Sequence, residues 1–512
     1  MSVYHFDLKN KEVLDKIRSP KVYQFNLAQN LALLSDDPST IRRFFQVELP
    51  TYFSDAWIIQ TAGNMFLRYY QNGQAFAYFG IIPMIVNAKV NLVASNGFKC
   101  ESDDEEIDEQ LNELIKEADL EEKFCEGVYW ESGIGDVAFR ISYCPEVSDK
   151  PIIDVIEPQF LDVNYFRGKV KSYVIKTVSV DNPGCELHEI YSKDKQGYLQ
   201  IDYRFKLDGE YVDPANESMM KQCMIDCKVS IEDIAHRSFP FKFFPIVFKK
   251  NDNYNRLYRG ERGVPDIQGL VMIEDALTET LSDLVDAIRK GGIKIFIDDS
   301  LLPQDIDGND QPFNQFNKTI ITTKGGAAPG ANTELYKVVQ GKIEWQAFLE
   351  SIKMLMSTAI NKAGLSPTTL GLTGLESINS SQEAQDAREK PSMRKREIAL
   401  NSWRTTLTEL FNRYLQISDY IDGRDIGDYS DLINITFNEY TNPTVESVTD
   451  VLVKQVAGGI KAPITAIKEL NKGMSDEQAA DEYMQILASK QADVVEEDTQ
   501  GGGATEIATV NG

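Results

Sequence analysis

Three observations predict an α+β fold for this chain. Residues 150–248 carry short apolar runs separated by turn clusters, the signature of antiparallel strands. Residues 264–415 carry apolar positions at three- and four-residue steps over long stretches, the signature of packed helices. The composition, 42% hydrophobic and 26% charged over 512 residues, is that of a globular protein with room for several domains.

In chain order, residues 1–50 are mixed and partly helical. Asp36-Asp37-Pro38-Ser39 reads as a turn and cap for a helix beginning near Thr40. Phe76 to Val86 is the most apolar run, but Gly80, Pro83 and the following Asn87, Lys89 and Asn91 mark it as a buried segment rather than a membrane helix. Residues 104–126 predict a helix through Leu111, Leu114, Ile115, Ala118 and Leu120. A second helix reaches Trp130, is stopped by Gly133 and Gly135, and gives way to a strand over Val137 to Tyr143.

Ile152 to Ile156, Ser172 to Val180, Glu186 to Tyr191, Tyr198 to Phe205 and Phe244 to Phe248 predict the strands of an antiparallel meander. Asp181-Asn182-Pro183-Gly184 and Lys193-Asp194-Lys195-Gln196-Gly197 supply turns. The first long helix carries Leu270, Ile273, Leu277, Leu281, Leu284 and Ile288 as an inward stripe. Asp275, Glu279, Asp283 and Asp286 form an acidic stripe on the same helix, either a solvated face or one turned to a lumen where anions pass. Gly291-Gly292 ends it. Ile293 to Ile297 predicts a strand, followed by an Asp-rich segment over 298–310 and a flexible loop over 324–332.

The second helix spans Lys342 to Ala363, with Ile343, Ala347, Ile352, Met356, Ala359 and Ile360 inward. Leu365 to Ser380 is polar, dotted with Gly and carries one charge, Glu376. Ser380 or Ser381 caps the third helix, which runs to about Leu415 with Trp403, Leu407, Leu410, Phe411 and Tyr414 inward. Pro391 must kink it or mark a restart. A short strand (Leu432 to Phe437) and two or three small helices within 444–490 follow, and residues 491–512 lack apolar periodicity, as a disordered tail does.

The chemistry is notable for what it lacks. The formal charge of −26 argues against a tight grip on phosphate. No P-loop, zincin or nucleophile-elbow motif occurs. The three histidines (His5, His188, His236) are scattered, and among 79 acids a pair of carboxylates carries no information. The six cysteines form no dense framework and the N-terminus carries no signal-peptide core, which predicts free thiols in a reducing compartment. Cys185-x-x-His188 with Cys223-x-x-x-Cys227 would be a loose zinc set; the alternative is cysteines packing as small hydrophobes. Neither a metal nor a cofactor is expected. Arg394-Lys395-Arg396 would suit either phosphate or the acids of a neighbouring face.

Along residues 80–490 the chain resembles the portal proteins of tailed bacteriophages. Val90 to Phe98 is similar to that family's early helix with its Gly-Phe turn, and Trp130 to Tyr143 to its helix–Gly–strand. Phe244 to Asn251 resembles its Pro-apolar strand, and Arg262 to Ile297 the stem helix after it, with Gly263 and Asp266 at the start. Ser380 to Arg396 resembles the entry to its long helix, and Gly458 to Asp481 its helical crown.

The resemblance implies a portal-type fold: a wing over 1–263 completed by 381–445, stem helices over 264–291 and 342–363, and a clip over 292–341. It further implies a channel loop over 364–380, a crown over 446–490 and a free tail over 491–512. It implies a ring, usually of twelve copies, at one capsid vertex of a virion assembled in the host cytoplasm. Implied partners are the terminase large subunit, a head–tail adaptor, major capsid and scaffolding proteins, and double-stranded DNA passing through, with no membrane and no catalysis. Asp275, Glu279, Asp283 and Asp286 would line the channel with Thr368, Thr369, Thr373, Ser377 and Asn379. The competing expectations are another phage head component, minor capsid or adaptor, and a nucleic-acid-processing enzyme with a carboxylate metal cluster.

Overall fold

The computed structural model describes residues 20–37, 40–41, 44, 58–62, 65–69, 78–251, 261–291, 294–298, 320–323, 336–339, 341, 343–372 and 382–438 of a first compact unit, Met1–Asn438. In a second unit, Glu439–Gly512, it describes residues 452–453, 455–456, 458, 461–471, 474–475 and 478–486. The fold mixes helix and sheet, as the sequence predicts.

The first unit opens with α1 (Pro20–Leu34) and a hairpin of β1 (Ile58–Ala62) and β2 (Met65–Tyr69). Asp37 caps the turn that follows α1, its carboxylate accepting from the Thr40 amide at 2.9 Å. The apolar run predicted as buried is α2 (Ile81–Val93), with Ile81, Ile82, Ile85, Val86 and Leu92 inaccessible. Gly97, at φ 68°, turns the chain into β3 (Phe98–Glu101).

The helix expected over 104–126 is two helices. α3 (Glu105–Glu117) ends at Ala118, Asp119 takes a left-handed φ of 47°, and α4 (Leu120–Ile134) begins anew. Gly133 does not stop α4. It lies inside the helix where the Leu34 side chain leaves no space for a Cβ, and Gly135 at φ 106° is the stop.

β4 (Asp136–Ser142) then pairs with β5 (Ile152–Ile156) and with β12 (Ile246–Lys250), all antiparallel. The meander is β6 (Leu161–Phe166), β7 (Lys169–Val178), β8 (Cys185–Lys193), β9 (Leu199–Leu207) and β10 (Glu210–Tyr211), with β11 (Arg237–Phe239) also on β9. Sequence periodicity misses β6, β10, β11 and the helix α5 (Glu217–Cys227), whose only buried residue is Cys223.

α6 (Val271–Lys290) leads into a three-stranded sheet of β13 (Lys294–Asp298), β14 (Ile320–Thr323) and β15 (Tyr336–Val339), with β13 central, parallel to β14 and antiparallel to β15. Next come α7 (Trp345–Ala363), a 3-10 turn over Pro367–Leu370, and the 40-residue helix α8 (Gln382–Ile421). β16 (Asn434–Phe437) pairs with β3 to close the unit. The predicted stripe of α8 forms its core side: Trp403, Leu407, Leu410 and Phe411 are fully buried and Tyr414 nearly so. Trp403 meets Phe124 of α4 edge-on at 5.1 Å and Phe139 of β4 at 6.0 Å. In the second unit, α9 (Pro463–Leu470) starts with proline at its first position, where no amide donor is needed. Among the described residues no helix is long and apolar enough to cross a membrane.

Candidate functional site

α6 and α7 form an antiparallel helical hairpin. At one end Gly291, just past α6, lies against Ile343 with no room for a Cβ. At the other, the Lys362 ammonium donates to the Gly269 carbonyl at 2.7 Å. The buried side of α6 is only partly the apolar stripe expected. Leu270 and Leu277 are buried, Ile273, Leu281 and Leu284 are half-buried, and Ile288 is 53% exposed. Between them run Glu274, Thr278 and Ser282, one polar residue per turn and all buried.

Glu274 explains the first of these. Its carboxylate accepts from the amides of Gly80 at 2.8 Å and Ile82 at 3.0 Å, capping α2 from another helix. Burial pushes its carboxyl up, and the amides of Ile82, Gly80 and Ile81 partly offset that. The Ser282 hydroxyl is satisfied within α6 by donating to the Thr278 carbonyl.

The acidic stripe lies next to this face. Glu279 and Asp283 are exposed and Asp275 is half-buried. Asp286 is in α6, with its side chain outside the described residues. Burial, then the charges of Glu274 and Glu279, push the Asp275 carboxyl up to about 7.

α7 is buried at its C-terminal half through Ile352, Met356, Ala359, Ile360 and Ala363. Its first turns are more exposed: Trp345 is 52% exposed, Ala347, expected inward, is exposed too, as is Leu349, and Met354 a turn later, while Phe348 is half-buried. The expectation failed because alternation on the helix continues past the point where α6 and the core stop covering it.

Of the predicted loop residues, Thr368 and Thr369 are half-buried and already engaged. Thr368 shares a hydrogen bond with Ser366 at 2.6 Å, and Thr369 with Ser392 of α8 at 2.8 Å. Thr373, Ser377 and Asn379 lie outside the described residues. The structure separates the basic triplet. Lys395 donates to Asp266 and to the Ala363 carbonyl, and Arg396 to the carbonyls of Leu92 and Asn438. Arg394 is exposed, on a cavity of about 550 Å³ that Lys390 and Pro391 also line.

Under that cavity lies a charge cluster that sequence reading missed. Lys89 pairs with Asp266 at 2.6 Å, Lys395 pairs with the other oxygen of Asp266 at 2.7 Å, and Ser132 donates to Asp266. Lys249 pairs with Glu131 at 2.9 Å, and the Trp403 indole donates to Glu131 at 2.9 Å. Burial pushes the Asp266 carboxyl up, but Lys89 and Lys395 outweigh it and hold it at about 2. The cluster joins α2, α4, β12, the segment before α6 and α8. The available signal was a single charge inside an apolar run, as at Lys89 in IIPMIVNAKVNLV.

The loose zinc set is split by the strand pleat. Cys185 and His188 are three residues apart on β8 and so point to opposite faces. His188 lies against the Tyr211 hydroxyl at 3.2 Å and Glu186 at 2.8 Å, away from the cysteines. Among the described residues no His, Cys, Asp or Glu group is arranged to hold a metal ion.

No protein-family model matches the chain, and no curated protein matches it. Among solved structures, a chain of the neck of an empty GTA particle, computed with C6 symmetry, aligns over 78% of this chain and 92% of its own length. The two share 11% identity at a TM-score of 0.44, a likeness that bears on neither family nor function.

Proposed function

We propose that this chain is the subunit of a phage portal ring, a conduit for double-stranded DNA that also serves as a docking platform. One observation carries the proposal. The α6–α7 hairpin ends in turns whose apolar side chains, Trp345, Leu349 and Ile288, are left uncovered by the subunit's own fold. Exposed apolar side chains grouped at one end of a hairpin suit a contact surface, and a head-to-tail ring would bury them against the next copy. The element order supports the same reading: helix, small sheet, helix, loop, 40-residue helix.

In this reading the hairpin is the stem, the β13–β15 sheet the clip that meets terminase or an adaptor, and the segment after α7 the constriction. Glu279 and Asp283 face the lumen. A duplex must slide there, and each Lys or Arg bound to phosphate would add affinity through counterion release, about 0.9 units of salt slope per contact. An acidic wall keeps that affinity low. The subunit performs no chemistry of its own, and a separate ATPase drives the DNA.

Native mass measurement of the purified protein tests the proposal. A closed ring of roughly a dozen copies is expected. A monomer at every concentration and salt would sink it.

A further inference from the structure

The satellite core between α5 and the meander sheet holds three cysteines, Cys185, Cys223 and Cys227, packed with Leu187, Phe205 and Val212. Cys223 and Cys227 are one turn apart on α5 and share a face, which meets the first residue of β8. The sulfurs of Cys185 and Cys227 are 3.7 Å apart. A disulfide needs about 2.05 Å, so closure asks for a little under 2 Å of movement from two short side chains.

The backbone around them is pinned. The Ser179 hydroxyl donates to the Asp226 carbonyl at 2.6 Å, and the Asn182 amide donates to the Asp226 carboxylate at 2.9 Å. Cys185 itself donates to the Asn182 carbonyl at 2.8 Å and accepts from Ser179 at 3.0 Å. The turn before β8 thus holds the end of α5, residue 226, beside residue 185. Cys227 is half-buried where Cys185 and Cys223 are buried, and it precedes Lys228, a non-glycine residue in the left-handed region at φ 57°. That end of the helix is where a small reagent gains access.

We propose that Cys185 and Cys227 form a disulfide when the protein meets a small-molecule disulfide such as oxidised glutathione, latching α5 onto β8. The Cys227 thiolate attacks the reagent and expels one small thiolate, leaving a mixed disulfide on Cys227. The Cys185 thiolate then attacks the Cys227 sulfur and expels the second. Two protein thiols lose two electrons and two protons, and the reagent is reduced to two thiols. Burial pushes the thiol of Cys185 up to about 11 and pushes that of Cys227 up as well, so both latch sulfurs are mostly protonated and the latch closes slowly at neutral pH. Resting on the portal assignment, the latch stays open in the reducing host cytoplasm and closes once a particle reaches an oxidising medium.

The test uses the full chain at neutral pH, incubated with oxidised glutathione, alkylated, digested and analysed by mass spectrometry. It does not depend on the ring, so its failure and that of the portal assignment are separable. A linked Cys185–Cys227 peptide is expected, with Cys100, Cys125 and Cys144 alkylated and the thermal midpoint raised by a few degrees until reductant is added. Cys227→Ser, a small change at a half-buried site, should abolish both the link and the shift. Alkylated Cys185 and Cys227 after full exposure, or a dominant Cys185–Cys223 link, would overturn the proposal.

Discussion

Asp275 is a residue whose charge the fold holds at a cost. Its carboxyl is half-buried beside Glu274 and Glu279, and burial and those charges raise it to about 7. An unfolded aspartate titrates near 3.8, so the folded state binds the proton more tightly. The stabilising contribution is therefore complete below about pH 4 and is lost as pH rises through about 7. Near neutral pH the side chain is thus divided between its neutral and charged forms, and its charge costs stability. Asp275→Asn should raise stability at pH 8 by about 1–2 kcal/mol, discounted for solvent at this half-exposed site, and leave it nearly unchanged at pH 4. Denaturant midpoints at the two pH values measure this. A variant that follows the wild-type pH profile would show that Asp275 is not the group titrating.

At the scale of elements, α8 is the member on which the others are hung. It crosses α4 and β4 at Trp403, holds β12 through the Lys249 bond to Ser402 at 2.7 Å, and holds the turn after α7 through Ser392, whose hydroxyl accepts from the Ser366 amide at 2.8 Å. Pro391 removes one backbone donor, yet the helix continues unbroken, and the next residue, Ser392, is where the turn docks. The α4–α8 crossing requires Gly127: a Cβ there would meet the Phe139 ring at 2.7 Å and the Trp403 ring at 2.9 Å. Gly127→Ala should cost about 2–3 kcal/mol by overpacking, despite the better helix propensity of alanine. Chemical denaturation measures it, and an unchanged or raised midpoint would mean that the two rings move aside freely. This side of α8 was legible in sequence because a one-sided core imposes a period near 3.6 on Trp403, Leu407, Leu410 and Phe411. α5 was not, because only Cys223 of its eleven residues is buried. Nor was the charge cluster, because its carboxylates and lysines are brought together from residues 89, 131, 249, 266 and 395.

On the scale of the whole molecule, the order of elements was readable and their coverage was not. Spacing alone put Ala347 and Ile288 inward, because a periodic stripe predicts that something covers it and does not say which chain does. Trp345 and Leu349, four residues apart on one face of the first turns of α7, are exposed, so on the proposed assignment they are the groups through which a ring would close. Aromatic anchors dominate interface energies, and losing one typically costs 2 kcal/mol or more, about thirtyfold in each contact. A closed ring repeats that loss at every interface, so the effect on assembly is steep. Trp345→Glu combined with Leu349→Glu should leave the subunit folded, since both side chains are already exposed, with circular dichroism and thermal midpoint close to wild type. The same variant should run as monomer or open fragments in native mass measurement at concentrations where the wild type closes. Rings of unchanged size and stability would show that the free end of the hairpin faces solvent or another partner, and subunit contacts would then have to be sought along the wing.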